Sequence, residues 1–157
     1  MIQRIQSVFL ALIFILGAVL FISPILSFTS YEASFKMNAY HTVNIADNIV
    51  VAKNIGIGAM QGFVALLALA TIFLFKKRQL QIKLCKLNLL LIALQIAAIV
   101  FYIDVAKEAI SPESPSDVVI GLEMGFFIPI LSFLLTYLAI WFIKKDEKLI
   151  RSADRLR

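Results

Sequence analysis

VFLALIFILGAVLFISPILSF, residues 8–28, is a run of 21 residues without a charged side chain. A helix of about 20 residues, at roughly 1.5 Å rise per residue, matches a bilayer hydrocarbon core of about 30 Å. Three further uncharged runs have the same apolar character: Ile55–Phe75, Leu87–Ile103 and Met124–Ile143. The sequence therefore predicts a protein whose chain crosses a membrane four times.

Composition supports this prediction. Hydrophobic residues make up 61% of the 157 residues and the mean hydropathy is +0.93, which is too apolar for a soluble domain. We expect a single domain over residues 1–157, an all-α integral membrane protein folded as an antiparallel four-transmembrane-helix bundle. The expected spans are 8–28, 55–75, 84–103 and 122–143. They leave extracytoplasmic loops at 29–54 and 104–121, a cytoplasmic loop at 76–83 and a cytoplasmic tail at 144–157.

The basic residues are distributed unevenly between the two sides. The segments 1–7, 76–86 and 144–157 hold twelve of the fifteen Lys and Arg residues, whereas the other two loops hold only Lys36, Lys53 and Lys107. Because cytoplasmic segments retain basic residues, both termini are expected in the cytoplasm of a bacterial inner membrane. The first run is interpreted as a retained anchor, since it exceeds the 7–15 apolar residues of a signal peptide and no small-residue cleavage site follows it.

Chemically reactive residues are sparse. One Cys and one His argue against a metal site, which usually needs three or four N, S or carboxylate ligands, and the single Cys85 rules out an internal disulfide. No clustered acid–base or nucleophile–base pair is visible in the sequence. We expect no enzyme activity, no catalytic residue, no cofactor and no metal. The net charge of +5 is explained by membrane topology, so no nucleic acid partner is expected.

The first outer loop contains the pattern of short strands. Apolar and polar residues alternate over residues 31–36 and 40–45, and a turn is expected at Asp47–Asn48 before residues 49–51. These segments predict a small β-rich extracytoplasmic loop, with an irregular loop as the alternative. Its aromatic residues Tyr31, Phe35 and Tyr40 form a possible partner surface, although they could instead pack on the protein's own helices.

Neutral polar and small residues inside the spans suggest how the helices pack. Gln95 and Ser132 fall near the membrane midplane, and we expect Gln95 to pair with Ser132 or Thr136, with Gln61 as another interhelical contact. A transport path is the alternative, but deep charged residues are absent. Gly58 and Gly62, and likewise Gly121 and Gly125, are spaced one helical turn apart and favour close helix packing, within the chain or between chains.

The C-terminal tail has the composition of a membrane-surface helix. Leu149, Ala153 and Leu156 recur at helical spacing, and basic residues surround them, which suits anionic lipid headgroups. A cytosolic partner is the alternative. The basic residues expected to make these contacts are Lys144, Lys145, Lys148, Arg151 and Arg155.

The two ends of the chain carry a resemblance to a known family. The opening MIQRIQ (1–6), the four-span layout and the ending DE (146–147) with RSADRLR (151–157) resemble a small bacterial membrane family, domain of unknown function 4293, from Bacteroidota. The resemblance implies an inner-membrane protein without an assigned reaction. The four-helix plan is also similar to that of claudin-like proteins, but the Trp and paired cysteines of their first loop are absent.

Three functional classes follow from these features. The first is a non-catalytic accessory or scaffold subunit of an envelope membrane complex, contacting the bilayer and another membrane protein. The second is a small transporter or channel component that acts as an oligomer, since six scattered neutral groups make a poor lining in one copy. The third, a lipid-modifying enzyme, lacks a candidate site.

Overall fold

A computed structural model describes residues 3–31, 33–75 and 77–154. Four long helices and a small antiparallel sheet account for most of this part of the chain. The helices are α1 (Gln3–Ile22), α2 (Ile55–Phe73), α3 (Arg78–Ile110) and α4 (Met124–Asp154). The strands are β1 (Leu26–Thr29), β2 (Ser34–Met37), β3 (His41–Asn44), β4 (Val50–Lys53) and β5 (Val119–Leu122), with a 3₁₀ turn at Pro115–Asp117. Within the described residues, these four helices are long and apolar enough to cross a membrane.

Each helix packs against two others. α1 contacts α2 and α4, and α3 contacts the same two helices. A hydrogen bond from Gln6 to Asp146 joins the start of α1 to the C-terminal part of α4, and Gln81 bonds the last turn of α2 across the short α2–α3 connection. We call this the hairpin end of the molecule. The strands lie at the other end, the sheet end.

The buried apolar side chains form two clusters with a polar layer between them. One cluster contains Leu20, Ile57, Ile99 and Ile128 together with buried residues of the sheet. The other lies toward the hairpin end and contains, among others, Leu10, Ile13, Val64, Ile92 and Ile140. On each helix, a buried residue lies between the part that joins one cluster and the part that joins the other. These residues are Gly17 on α1, Gln61 on α2, Gln95 on α3 and Ser132 on α4.

The sheet has the strand order β4-β3-β2-β1-β5, with all neighbours antiparallel. Its alternate residues face opposite sides, so that Leu26, Phe28, Phe35 and Met37 are buried while Lys36 is exposed. The buried face belongs to the same apolar cluster as Ala106, with Ile103 and Ile110 packed against it. α3 extends to Ile110 because its last two turns support this face.

Several expected boundaries differ from those observed. The expected sheet in the first outer loop is confirmed by β2, β3 and β4, but β1 lies inside the first expected span of 8–28. α1 ends at Ile22 and Pro24 follows, after which residues 26–29 alternate between buried and less buried positions as a strand does. β5 was not predicted, since its VIGL sequence was assigned to the second outer loop and the start of the fourth span. α3 is longer than the expected span of 84–103 at both ends.

Candidate interaction surfaces and buried polar layers

The two ends of the sheet lie in different surroundings. At one end, backbone hydrogen bonds tie the sheet to the helices, from the Gly58 N–H to the Ala39 carbonyl and from the Gly125 N–H to the Pro24 carbonyl, both 2.9 Å. Four-residue strands then place their opposite ends about 10–13 Å away. That far edge carries the turns β1–β2 and β3–β4 and the start of β5. We call its exposed apolar residues the sheet rim: Tyr31, Ile45, Ile49 and Val119.

Local backbone geometry aligns the rim. Thr29 is paired with Val119 across β1 and β5, and the Ile45 N–H donates to the Ser34 carbonyl at 2.9 Å, so neighbouring turns are joined. The β3–β4 turn contains Asn48 with a φ of 54°, a left-handed conformation that asparagine tolerates better than most residues. The Asn44 side-chain oxygen also accepts the Ala46 N–H at 3.0 Å, which fixes the start of this turn.

The rim exposes more apolar surface than its position explains. Tyr31 is 93% exposed, Val119 68% and Ile49 61%. Exposed apolar residues on the helices are those that a bilayer would cover, but these residues lie at the end of the sheet farthest from α1, α2 and α4, beside only the last turns of α3. Apolar patches that face water commonly mark interaction sites. The rim is therefore the candidate docking surface of the described chain.

The structure separates the three aromatic residues expected to form a partner surface. Tyr31 is in the rim, but Phe35 is only 7% exposed and belongs to the sheet-end core. Tyr40 is partly exposed, stacks on Phe21 with ring centroids 5.6 Å apart, and covers Gly58. The prediction of a surface formed by three aromatic residues is therefore wrong for Phe35. Successive side chains of β2 point to opposite faces of the sheet, and that of Phe35 points to the core. The rim residues Ile45, Ile49 and Val119 were missed, although two of them flank the predicted turn.

A hydrogen bond between two glutamines forms the polar layer between the apolar clusters. The Gln95 amide nitrogen donates to the Gln61 side-chain oxygen at 2.8 Å, and both residues are buried. The expected pairing of Gln95 with Ser132 or Thr136 is wrong. Thr136 instead donates to the Ser132 carbonyl of its own helix at 2.7 Å. The Ser132 hydroxyl, the Gln61 amide nitrogen and the Gln95 oxygen have no further partner among the described residues.

Further polar residues recur along α3 at intervals of seven. Gln81, Asn88 and Gln95 are all buried on one face of the helix, separated by about 10.5 Å each. Gln81 donates to the Thr71 carbonyl at 3.0 Å, whereas neither amide atom of Asn88 has a partner among the described residues. Cys85, Ile92 and Ile99 alternate with them as apolar layers. Polar layers in an otherwise apolar helix interface fix the register of the helices.

A buried carboxylate lies at the hairpin end. The Gln6 amide donates to Asp146 Oδ2 at 2.7 Å, and both side chains are buried. Sequence analysis did not single out either residue for this role. The available signal was periodicity, because Gln6 shares a helix face with Leu10 and Ile13, and Asp146 shares one with Ala139 and Ile143.

The glycines act differently from the expected helix-packing motifs. Gly121 lies in β5 beside Ser27, not in α4, and a Cβ at Gly58 would collide with Tyr40 and not with a helix. A Cβ at Gly62 would meet no atom within 4 Å, so this residue does not provide a close contact. Gly125 does provide one, because its Cβ would lie 2.5 Å from the Pro24 carbonyl oxygen. Gly17, which was not predicted, admits Gln61, whose amide nitrogen would lie 2.6 Å from a Cβ there.

The tail continues α4 past the apolar span. Lys144, Lys145 and Lys148 are exposed, and the Lys145 ammonium lies 5.3 Å from the centre of the Trp141 ring. This distance is within the range of a cation–π contact. The side chain of Arg151 and all of Arg155 lie outside the described residues.

Comparison with known proteins supports one assignment. No curated protein shows a significant match to the chain. The sequence profile of the family described as Domain of unknown function (DUF4293) matches residues 2–156, nearly the whole chain. The protein therefore belongs to the DUF4293 family.

Proposed function

We propose that this protein is an integral inner-membrane protein of a bacterium and serves as a non-catalytic accessory or scaffold subunit of an envelope membrane complex. Four helices of sufficient length and apolarity support membrane insertion as an antiparallel bundle. The hairpin end lies in the cytoplasm with both termini, where the basic residues of the α2–α3 connection and the tail are favoured. Anionic headgroups contact the tail lysines on that side.

The sheet rim is the observation that carries the proposed role. On the outer side of the membrane it leaves Tyr31, Ile49 and Val119 in water, where each loses the stabilisation that apolar burial gives. Contact with an extracytoplasmic part of another membrane protein would bury them. The interior favours a structural role as well, because the Gln61–Gln95 pair is neutral and joins two helices.

Association with a partner tests the role. We expect a stoichiometric membrane partner to co-purify with the native chain in mild detergent, and Val119→Ser to weaken its recovery several-fold. Leu122→Ser is the matched control, because Leu122 is also an exposed apolar residue of β5 but lies at the end nearest the helices. A chain recovered from native membranes without a partner would refute the proposal, and so would equal loss of partner in both variants.

Labelling in intact spheroplasts tests the orientation. In a cysteine-free background, Ser34→Cys on the exposed surface of β2 should react with an impermeant maleimide, and Gln79→Cys at the exposed start of α3 should not. After lysis, both should react. Labelling of the Gln79→Cys variant in intact spheroplasts would reverse the proposed topology.

A small transporter or channel component acting as an oligomer is the second candidate. Polar atoms of Asn88 and Ser132 that have no partner in the described part of the chain favour it, because such groups could contact a passing solute. It predicts solute flux in reconstituted liposomes that falls when Asn88 is changed to Leu. Flux equal to that of empty liposomes would remove this candidate.

A further inference from the structure

The turns that carry the sheet rim contain charges of one sign. Asp47 lies in the β3–β4 turn between Ile45 and Ile49, and Asp117 lies two residues before Val119 at the start of β5. Both are exposed, as is Glu113 in the preceding loop. Among the described residues of these turns and of the loop before β5 there is no Lys or Arg. The nearest lysines of the sheet, Lys36 and Lys53, lie in the halves of their strands closer to the helices.

Strand order turns these positions into a linear pattern. Across the sheet, the rim passes from the β3–β4 turn to the β1–β2 turn and then to the start of β5. Five strands at a spacing of about 4.8 Å make this edge about 19 Å long. The apolar residues Ile45, Ile49, Tyr31 and Val119 therefore share this edge with Asp47, in the turn at one end, and Asp117, beside β5 at the other end.

We infer that the sheet rim binds an extracytoplasmic protein segment that presents apolar side chains between basic ones. The apolar residues of the rim supply contact area, and Asp47 and Asp117 favour Lys or Arg at the margins of the partner. This inference rests on the proposed function and adds the chemistry of the partner. An anionic lipid surface does not fit this rim, because two exposed carboxylates would repel it.

Charges at the margin of an interface act mainly on association rate and salt dependence. Each exposed ion pair has a modest effect, so neutralising both carboxylates should lower partner occupancy about threefold at low salt. The difference in partner occupancy between the native and the neutralised chain should shrink as salt is raised, since a Debye length of about 8 Å at 0.15 M becomes about 3 Å at 1 M. The apolar contacts should respond little to salt.

Photo-crosslinking in native membranes tests the inference on the full chain. A benzoyl-phenylalanine replaces Tyr31, and the yield of crosslinked adduct is measured in three chains. The first has no other change, the second also carries Asp47→Asn and Asp117→Asn, and the third instead carries Ile49→Ser and Val119→Ser. A chain with Asp104→Asn and Glu123→Gln is the control, because these two carboxylates lie near the end of the sheet opposite the rim. We expect the acid-neutralised variant to lose most of its adduct, the apolar variant to lose nearly all of it, and the control to keep it.

The outcomes separate the two proposals. Adduct that depends on Ile49 and Val119 but survives neutralisation of both carboxylates would overturn the inference about charge while the proposed function stands. Absence of any adduct in the otherwise unchanged chain would overturn both. Sequencing of the captured peptide gives a further check, because a segment flanked by Asp or Glu contradicts the inferred chemistry.

Discussion

The Gln61–Gln95 hydrogen bond offers the sharpest test of how the helices are held together. Lipid is as apolar as the side chains that face it, so apolar contact drives helix association in membranes weakly. A hydrogen bond between helices α2 and α3 should therefore contribute measurably to stability. Methionine is the substitution of choice at both positions, because it matches the length of glutamine without branching and the space beside Gly17 is narrow.

The expected magnitude follows from the hydrogen-bond inventory. Gln95→Met removes one bond and leaves the Gln61 amide, already half unpartnered, without any partner among the described residues. Hydrogen bonds between membrane helices average about 0.6 kcal/mol and reach about 1.7 kcal/mol, so we expect a loss of about 0.5–2 kcal/mol. Gln61→Met should cost a similar amount. The double variant should cost less than the sum, because it leaves no orphaned amide.

Reversible unfolding in bicelles, followed by steric trapping or by titration with denaturing detergent, would give the free energies of unfolding of the native chain, the two single variants and the double variant. Ser132→Ala is the control, since its hydroxyl has no partner among the described residues and its loss should change the free energy by less than about 0.5 kcal/mol. A coupling energy of zero within error would show that the two glutamines do not interact. That result would refute the polar layer as a source of stability.

Two further predictions concern the hairpin end and the glycines. Gln6→Leu should lower the free energy of unfolding by about 1–3 kcal/mol because it removes an amide donor from a buried carboxylate, whereas Asp146→Asn, which keeps an oxygen acceptor, should cost clearly less; equal effects in the same unfolding assay would contradict this. Gly17→Ala should be about 1 kcal/mol less stable than Gly62→Ala, because its Cβ displaces the Gln61 amide that bonds Gln95, whereas a Cβ at Gly62 meets no atom of the described residues within 4 Å. A thermal shift that ranks these two variants in the opposite order would refute that account.

The sequence predicts the helices and strands better than it predicts which of them are in contact. Four apolar runs and an alternating loop were sufficient for the helices and three strands, because length and periodicity are local properties. The end of α1 was misplaced because residues 25–28 are as apolar as the helix before them, and their strand conformation depends on pairing both with β2 and with β5, which lies some ninety residues away. Gln95 was assigned the wrong partner for a related reason. Gln61 and Ser132 both lie near its depth, and only the rotation of each helix about its axis decides which of them it meets.

Pairing between β1 and β5 has a consequence for biosynthesis. In the proposed topology, β1 can pair with β2 as soon as the first outer loop has crossed the membrane, but its other edge stays open until β5, between α3 and α4, has crossed as well. During that interval the nascent chain presents an unpaired strand edge with apolar residues, a template for aberrant association. The sheet is therefore completed only when the segment just before α4 has been made. A chain truncated before residue 119 should therefore be bound by chaperones or degraded, even though α1, α2 and α3 are intact.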